Sequence, residues 1–503
     1  MKESFRHALT TGSSFLIGAE IVKTRGLVSS TTYLPTFARE LLTDERIHYI
    51  SLTDNPGGHP MLPPDWLARQ FAEFAPNIIL HLSCKDLNRS GLESQLWRYT
   101  AEGFENILAL SGDLPANGYP TLSSRVFDID SVSLLNMMTA MNGGLPVLNR
   151  KQTLERLPST NFFAGAVVNP FKSKENELMP QYAKLLKKIG AGAQWIISQI
   201  GYDMRKFADV HSFLKHHQRT VPLIGNTFVL TKTIASIFNS GKLAGCVVTD
   251  SLMQQIAKYA AGADKGKQFF RELAAKQIAV FRGLGFAAVH IGGLEKADAF
   301  FDIIDLANSY SADDWKDFYA EIQYSKPKEF FFSQSHLPVQ QKKKANFFSV
   351  SPFYRFSRLV HAVVFRRERC LYPVIRWLYR FLDKQKPGRR CAAKMLHQIE
   401  QSSKFFLYSC TDCGDCGLPD TAYLCPMNRC SKNQRNGPCG GSNNGRCEAD
   451  DKDCVWTIVY DRLKHFGEWD EYISAPPICY NAGLKGTSAW ANLYMDRDHS
   501  ASQ

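Results

Sequence analysis

Over its first 300 residues the chain repeats one pattern: a short, almost wholly apolar run, then a longer stretch with helical periodicity. The runs fall at 15–20, 48–53, 78–83, 107–111, 162–168, 195–199, 221–225 and 287–291. A strand that is apolar along its whole length, and not only on alternate residues, is buried on both faces. That is the situation of parallel strands covered by helices. Eight such units within the first 291 residues predict an α/β fold, a closed (β/α)8 TIM barrel. An open doubly wound sheet is the second choice, weakened because no Gly-x-Gly-x-x-Gly follows the first run.

Charge and cysteine divide the remainder. The chain carries a formal net charge of +12, and the segment 342–404 alone holds 16 Lys and Arg against Glu368, Asp383 and Glu400, a local +13. The rest is therefore almost neutral. Nine of the 13 cysteines lie between Cys410 and Cys479. No apolar run approaches the ~20 residues needed to cross a bilayer, and the apolar stretch at 14–19 stops at Glu20. A secretory signal is not expected, a cytoplasmic location is, and dense cysteine then reads as metal or cluster ligation and not as a disulfide framework. Hydrophobic content of 44% with 21% charged residues excludes disordered and collagen-like classes. The expected organisation is a barrel over 1–325, a basic helical connector over 326–394 and a small cysteine-rich domain over 395–503.

Chemistry in a barrel of this kind sits at the carboxyl ends of the strands. The polar residues there are Glu20, Asp54, Asn55, His81, Cys84, Asp113, Asn169, Gln199 and Asn226. Each alone is commonly a cap or a loop hydrogen bond, but seven of the eight strand ends carry one. Without a His-x-His or paired-carboxylate pattern, they read as a cofactor site and not as a metallohydrolase centre.

The tail presents Cys410, Cys413, Cys416, Cys425, Cys430, Cys439, Cys447 and Cys454, enough for two four-thiolate sites. Cys-x2-Cys-x2-Cys followed by Cys425-Pro426 is similar to bacterial ferredoxin ligation, with eight residues in the last gap where ferredoxins have three. A [4Fe-4S] cluster is the first reading and zinc the alternative. Cys84, Cys246, Cys370, Cys391 and Cys479 are expected to be unligated.

Four strings, Gly18-Ala19-Glu20-Ile21-Val22-Lys23-Thr24-Arg25, His81-Leu82-Ser83-Cys84, Ser111-Gly112-Asp113-Leu114-Pro115 and Gly190-Ala191-Gly192-Ala193 leading to Ser198-Gln199, occur in the order and spacing of methylenetetrahydrofolate reductases. Thr53-Asp54-Asn55-Pro56-Gly57-Gly58 fits as well. The chain resembles that family over residues 10–300. In the tail, Asn436-Gly437-Pro438-Cys439-Gly440-Gly441, Gly445-Arg446-Cys447-Glu448, Gly486-Thr487-Ser488-Ala489-Trp490 and Asp498-His499 resemble the family's cysteine-rich C-terminal domain. The resemblance implies a flavin-dependent oxidoreductase of one-carbon metabolism that reduces 5,10-methylenetetrahydrofolate to 5-methyltetrahydrofolate, for methionine synthesis or a carbon-fixing pathway. Carried over by motif, Glu20 is the general acid, a role for which a raised carboxyl pKa in a dry pocket is expected. Asp113 and Gln199 contact the pterin. Thr53, His81, Asp113 and Lys188 contact the flavin, Lys188 near its phosphates, although Lys187 and Lys188 also fit a solvated helix face.

Lys23-Thr24 stands where the family commonly has two prolines, Ser111 where many members have arginine, and Val167-Val168-Asn169-Pro170 lacks the usual tyrosine and histidine. FAD and FMN therefore both stay open. The expected electron donors are NAD(P)H or, through clusters, an acidic protein such as ferredoxin. The alternative function is a folate-binding or electron-relay component of a methyl-transfer or demethylation complex.

Within the connector, Val374, Trp377, Leu378, Phe381 and Leu382 with Arg376, Arg380 and Lys384 form a basic amphipathic helix, and Phe356, Leu359, Val360, Val363 and Val364 form another. The first expectation is that these stripes pack on a neighbouring domain. An acidic protein partner comes second, a membrane surface third and nucleic acid last, so neither of the last two is predicted as a partner.

Overall fold

The computed structural model describes residues 2–12, 14–26, 30–116, 121–151, 153–243, 245–335, 351–383 and 387–502. The chain divides into two compact units, residues 1–341 with 438–451 and residues 342–437 with 452–503. Of the basic connector, Lys342, Lys343, Lys344, Lys384 and Lys386 lie outside the described residues.

The first unit is the expected barrel. Eight parallel strands close a ring: β1 (Leu16–Ile21), β2 (Tyr49–Leu52), β3 (Ile78–Ser83), β4 (Asn106–Leu110), β7 (Phe163–Val168), β8 (Trp195–Ser198), β9 (Leu223–Phe228) and β10 (Ala288–Gly292). Closure is made by β1, where Gly18 lies opposite Tyr49 of β2 and opposite His290 of β10. Between β4 and β7 stands a short antiparallel hairpin, β5 (Pro146–Leu148) with β6 (Leu154–Arg156). The sequence reading did not anticipate it. Both strands are three residues long and solvent-facing, so they leave no apolar run to read.

The closed ring is filled by aromatic side chains. Phe5, from the helix Phe5–Thr11, meets Tyr49, Trp195 and Phe163 with ring centroids 4.7, 5.4 and 5.8 Å apart. Glycine makes the space these rings need. A Cβ on Gly18 would lie 2.1 Å from the Tyr49 ring, and one on Gly165 would lie 2.3 Å from the indole of Trp195, far inside van der Waals contact. Small residues inside the strands are thus the complement of large ones on their neighbours.

The second unit is helical. Its principal helices are Pro352–Val364, Leu371–Asp383, Pro387–Tyr408 and Val455–Phe466. Tyr372, Tyr379 and Tyr494 form a small aromatic core. Polar networks fix the rest. Buried Glu400 accepts from Lys404 Nζ at 2.6 Å, from the backbone N–H of Trp490 at 3.1 Å and from the Ser488 hydroxyl. Ser488 in turn caps the helix Ala489–Tyr494. His499 Nδ1 lies 2.6 Å from Asp415 Oδ1 and its Nε2 3.2 Å from Asp420 Oδ2. Burial alone would lower the His499 pKa, but the two carboxylates hold the ring protonated, at about 10.

Candidate active site

Glu20 is the last inward residue of β1, beside Ser51 of β2 in the parallel register. Its Oε2 lies 3.7 Å from His290 Nε2, and the same nitrogen lies 3.0 Å from the Ser51 hydroxyl. The ring of Tyr49 stacks on His290 at 5.9 Å with the planes 9° apart. His81, from β3, completes the cluster: ligand atoms of Glu20, His81 and His290 lie within 4.8 Å of one another. Gly292 leaves room for the carboxylate, since a Cβ there would come 3.2 Å from Glu20 Oε1.

Burial pushes the Glu20 carboxyl upward, but the facing His290, with His81 and Lys23 behind it, outweighs burial and holds it below its ordinary range. This differs from the raised value expected of a general acid. The sequence reading did not count His290, a mid-strand residue on the last barrel strand. Inward alternation on β10 was the available signal. His81 is driven by burial to a pKa of about 3 and is neutral. Its Nε2 is buried and has no hydrogen-bond partner among the described residues.

The sequence marks Lys23 only as a departure from a proline pair. It is buried, and its ammonium donates to the Thr53 carbonyl. Burial lowers its pKa to about 8 against the opposing pull of Asp54 and Glu20. Thr53 is itself buried at the end of β2. Asp54 accepts from the backbone N–H and hydroxyl of Ser83 at 2.9 and 2.7 Å, which ties the β2 and β3 ends together.

Asp113 follows β4 and accepts from the Gly57 backbone N–H at 2.8 Å. The two loops are in backbone contact. Gly58, at φ 77°, would place a Cβ 1.8 Å from the Leu114 carbonyl oxygen, so the position admits only glycine. Asp113 lines a cavity of about 1090 Å3 together with Phe171, Lys172, Cys246, Cys447 and Glu448. The Cys246 thiol in that cavity is pushed up to about 12 by burial and by the nearby Asp113. At the end of β8, Gln199 Oε1 accepts from the Ile200 backbone N–H at 2.9 Å, and its Nε2 faces Gly245.

One wall of this cavity comes from residues 438–451. The carbonyls of that segment accept from side chains at the end of β7. Gly440 receives Asn169 Nδ2 at 3.1 Å and Lys172 Nζ at 2.6 Å, Ser442 receives Lys172 Nζ, and Asn444 receives Lys174 Nζ at 2.7 Å. Gly441 allows the carboxylate of Glu448 to fold against it, and Cys439 Sγ lies 3.2 Å from Glu448 Oε1. Contacts across a sequence separation of some 270 residues leave no periodic signal to read. Asn169 was singled out from sequence; Lys172 and Lys174 were not.

Lys188 lies apart from these groups, in the helix Glu175–Gly190. Both Lys187 and Lys188 are buried, so they do not form the solvated face that the sequence allowed. Lys188 Nζ donates to the Val167 carbonyl at 2.5 Å. Burial, with Lys184 nearby, lowers its pKa to about 7.

In the helical unit Cys410, Cys413, Cys416 and Cys425 line one small cavity, with Arg435 and Asp415 beside them. Burial raises the Cys410 thiol pKa, and the backbone N–H of Asp412, which points at its Sγ at 3.4 Å, offsets only part of that rise. Cys430 and Cys454 belong to this unit, Cys439 and Cys447 to the barrel unit. Cys370, Cys391 and Cys479 are exposed, and Cys84 and Cys246 are buried.

A family model described as methylenetetrahydrofolate reductase matches residues 31–308, and one described as the methylenetetrahydrofolate reductase C terminal matches residues 390–479. Neither reaches residues 309–389. Methylenetetrahydrofolate reductase 2 of Schizosaccharomyces pombe is 26% identical over 190 residues, which cover 35% of this chain. The match spans only 27% of the length of that relative. Among solved structures, an uncharacterized Clostridium thermocellum protein that binds two copies of 5-methyl-5,6,7,8-tetrahydrofolic acid is 11% identical with a TM-score of 0.42, covering 60% of this chain and 96% of that one. A 2,3-dimethylmalate lyase of the PEP mutase/isocitrate lyase superfamily is 11% identical with a TM-score of 0.30, covering 57% and 77%. At those scores neither structure bears on what the chain does.

Proposed function

From its membership of the methylenetetrahydrofolate reductase family, we propose that this chain reduces the methylene bridge of 5,10-methylenetetrahydrofolate to a 5-methyl group. The observation that supports it is the Glu20–His290 pair beside a neutral His81 whose buried Nε2 has no partner among the described residues. The family generally binds flavin, and a buried polar atom at the mouth of the barrel fits a hydrogen-bonding ring there. Thr53, His81, Asp113 and Lys188 would hold FAD or FMN. For Lys188 to meet a phosphate, its ammonium must leave the Val167 carbonyl. Bound flavin supplies the hydride.

The bridge cannot accept a hydride until its bond to N10 opens. Opening leaves a cation on the N5 side and an electron pair on N10, and Glu20 supplies the proton that N10 takes. The hydride then adds to the bridging carbon, completing the two-electron reduction. His290, at 3.7 Å, is placed to return a proton to Glu20, with the Ser51 hydroxyl holding the ring. Asp113 is pre-set by the Gly57 N–H to accept from the donor edge of the pterin, and Gln199 offers an amide to the same edge.

Cys410, Cys413, Cys416 and Cys425, which line one cavity, are the proposed ligands of a [4Fe-4S] cluster, with zinc the alternative. Cys430, Cys439, Cys447 and Cys454 are the remaining proposed ligands. Electrons would come from NAD(P)H or, through such a cluster, from an acidic donor protein such as ferredoxin. The ionised state of Glu20 favours one second reading, a barrel that binds folate as part of a relay or demethylation complex without opening the ring.

Anaerobic titration of the flavin-loaded protein with 5-methyltetrahydrofolate separates the two. Bleaching of the flavin absorbance is expected, since it is the reverse half-reaction. Glu20→Gln should keep flavin but slow turnover with 5,10-methylenetetrahydrofolate by roughly 10²–10⁴-fold. A flavin that dithionite reduces and 5-methyltetrahydrofolate does not would establish the relay reading, and an unimpaired Glu20→Gln variant would remove the acid assignment.

A further inference from the structure

The helices Pro352–Val364, Leu371–Asp383 and Pro387–Tyr408 present large apolar side chains to solvent. Trp377 is 65% exposed, Leu359 63%, Val374 60% and Phe406 84%. On the second helix, Leu371, Val374, Trp377, Leu378 and Phe381 form one exposed stripe, while Tyr372 and Tyr379 turn inward to Tyr494. The Trp377 and Phe381 rings stack at 5.6 Å. The exposed surfaces of the first and third helices adjoin, because Phe356 and Leu407 border one pocket of about 290 Å3. Soluble monomers seldom expose contiguous apolar surface on this scale without a partner for it. Within the helical unit these side chains stay exposed.

We infer that this face is a membrane-docking surface that lies on anionic phospholipid. Charge selects the occupant. Arg366, Arg367, Arg369, Arg380 and Lys394 are exposed around the apolar side chains, and the connection between the first two helices sets three exposed arginines against one exposed acid, Glu368. The segment 342–404 carries +13 while the rest of the chain is close to neutral. A second copy would bring like charge against like. An acidic redox protein would satisfy the charge but not the apolar stripe, because electron-transfer encounters use small faces. Arginine flanking rows of Trp, Phe and Leu on one helical face is the composition of helices that lie in the lipid interface. No helix among the described residues is long and apolar enough to cross a membrane, and the first two, at 13 residues each, reach only about 20 Å. They lie on the bilayer and do not span it.

The test uses the full chain, flotation with vesicles, and tryptophan fluorescence. Phosphatidylcholine vesicles containing phosphatidylglycerol should carry the protein at ~0.1 M salt and release most of it at ~0.5 M, while pure phosphatidylcholine should carry at least roughly tenfold less. Trp377→Glu and Phe406→Glu change exposed positions, and unchanged circular dichroism will show that both variants fold. Each should lower binding to anionic vesicles by about tenfold or more, and brominated lipid should quench the wild-type emission more than that of Trp377→Glu. Three results overturn the inference. They are a wild-type protein left unbound by anionic vesicles, two variants that bind as well as wild type, and loss in both variants of a concentration-dependent dimer or an acidic-protein complex in a protein that binds no vesicles.

Discussion

At the centre of the barrel unit the side chains are apolar: Phe5, Tyr49, Phe163 and Trp195 interlock where glycines on neighbouring strands leave space. At the centre of the helical unit, Glu400, Lys404, Asp415 and His499 are buried and paired. The first unit is held by shape and area removed from water. The second adds to its aromatic core of Tyr372, Tyr379 and Tyr494 directional bonds between groups that are costly to leave unpaired. Burial lowers the Lys404 pKa there, but Cys416, Glu400 and Cys410 outweigh burial and favour its charge.

The largest effect expected from breaking this comparison is in the helical unit. Cys416→Ser removes one of the four thiols around the small cavity. If those thiols hold a cluster, iron content and the broad visible absorbance at that site should be lost, while flavin content and bleaching by 5-methyltetrahydrofolate stay at wild-type levels. Reduction by an external donor protein should fail. Loss of flavin in Cys416→Ser would show that the two units are not independent in the way their separate cores imply, and unchanged iron and zinc content would exclude the site. Metal analysis on one preparation distinguishes iron from zinc.

The barrel was legible in the sequence because its strands are buried on both faces, so each of the eight appears as an apolar run close to its observed ends. Glu20, His81 and Asp113 were legible through motif order. What was not legible depends on partners distant in the chain. His290 gains meaning only through the closure of β10 on β1, which no local window contains. Lys172 and Lys174 matter because their carbonyl acceptors lie some 270 residues away. Lys188 is expected near the flavin phosphates with a solvated helix face as the alternative, and its burial removes that alternative, which periodicity cannot do because it places Lys188 beside Lys187 without showing that the helix is covered there. The apolar stripe of 371–383 was read correctly as a stripe. Its exposure could not be read, because amphipathic sequence does not say what the apolar side meets.

An intermediate effect tests the barrel's dependence on shape. Gly165→Ala adds a Cβ 2.3 Å from the Trp195 ring. The indole cannot retreat freely, since Phe5 and Phe163 pack against it. Overpacking of this kind costs about 1–3 kcal/mol, and calorimetry should show the barrel transition lowered by several degrees. The metal absorbance of the helical unit should be unaffected. A barrel transition that does not move would mean that Trp195 has room to rotate, and that the interlocking account of the core is wrong.

The smallest effect sharpens the comparison inside the barrel, where Glu20, His81, His290 and Ser51 form a polar cluster beside the aromatic core. Burial raises the Glu20 carboxyl and His290 lowers it, with the second winning. His290→Gln keeps a hydrogen-bonding amide near Ser51 but removes the ring that favours the carboxylate, so the Glu20 pKa should rise. An acid works below its pKa, so kcat/KM should fall as pH climbs through the Glu20 value. That descending limb should therefore move to higher pH in His290→Gln. The sign also fixes a stability effect: a carboxyl lowered in the folded state contributes stability above its unfolded value, and that contribution is lost as pH falls through the folded value. In His290→Gln the loss on acidification should begin at higher pH. A structural role for His290 alone would lower stability at every pH and leave the limb in place. Movement of the limb without a uniform loss identifies His290 as the residue that positions Glu20 and sets its charge.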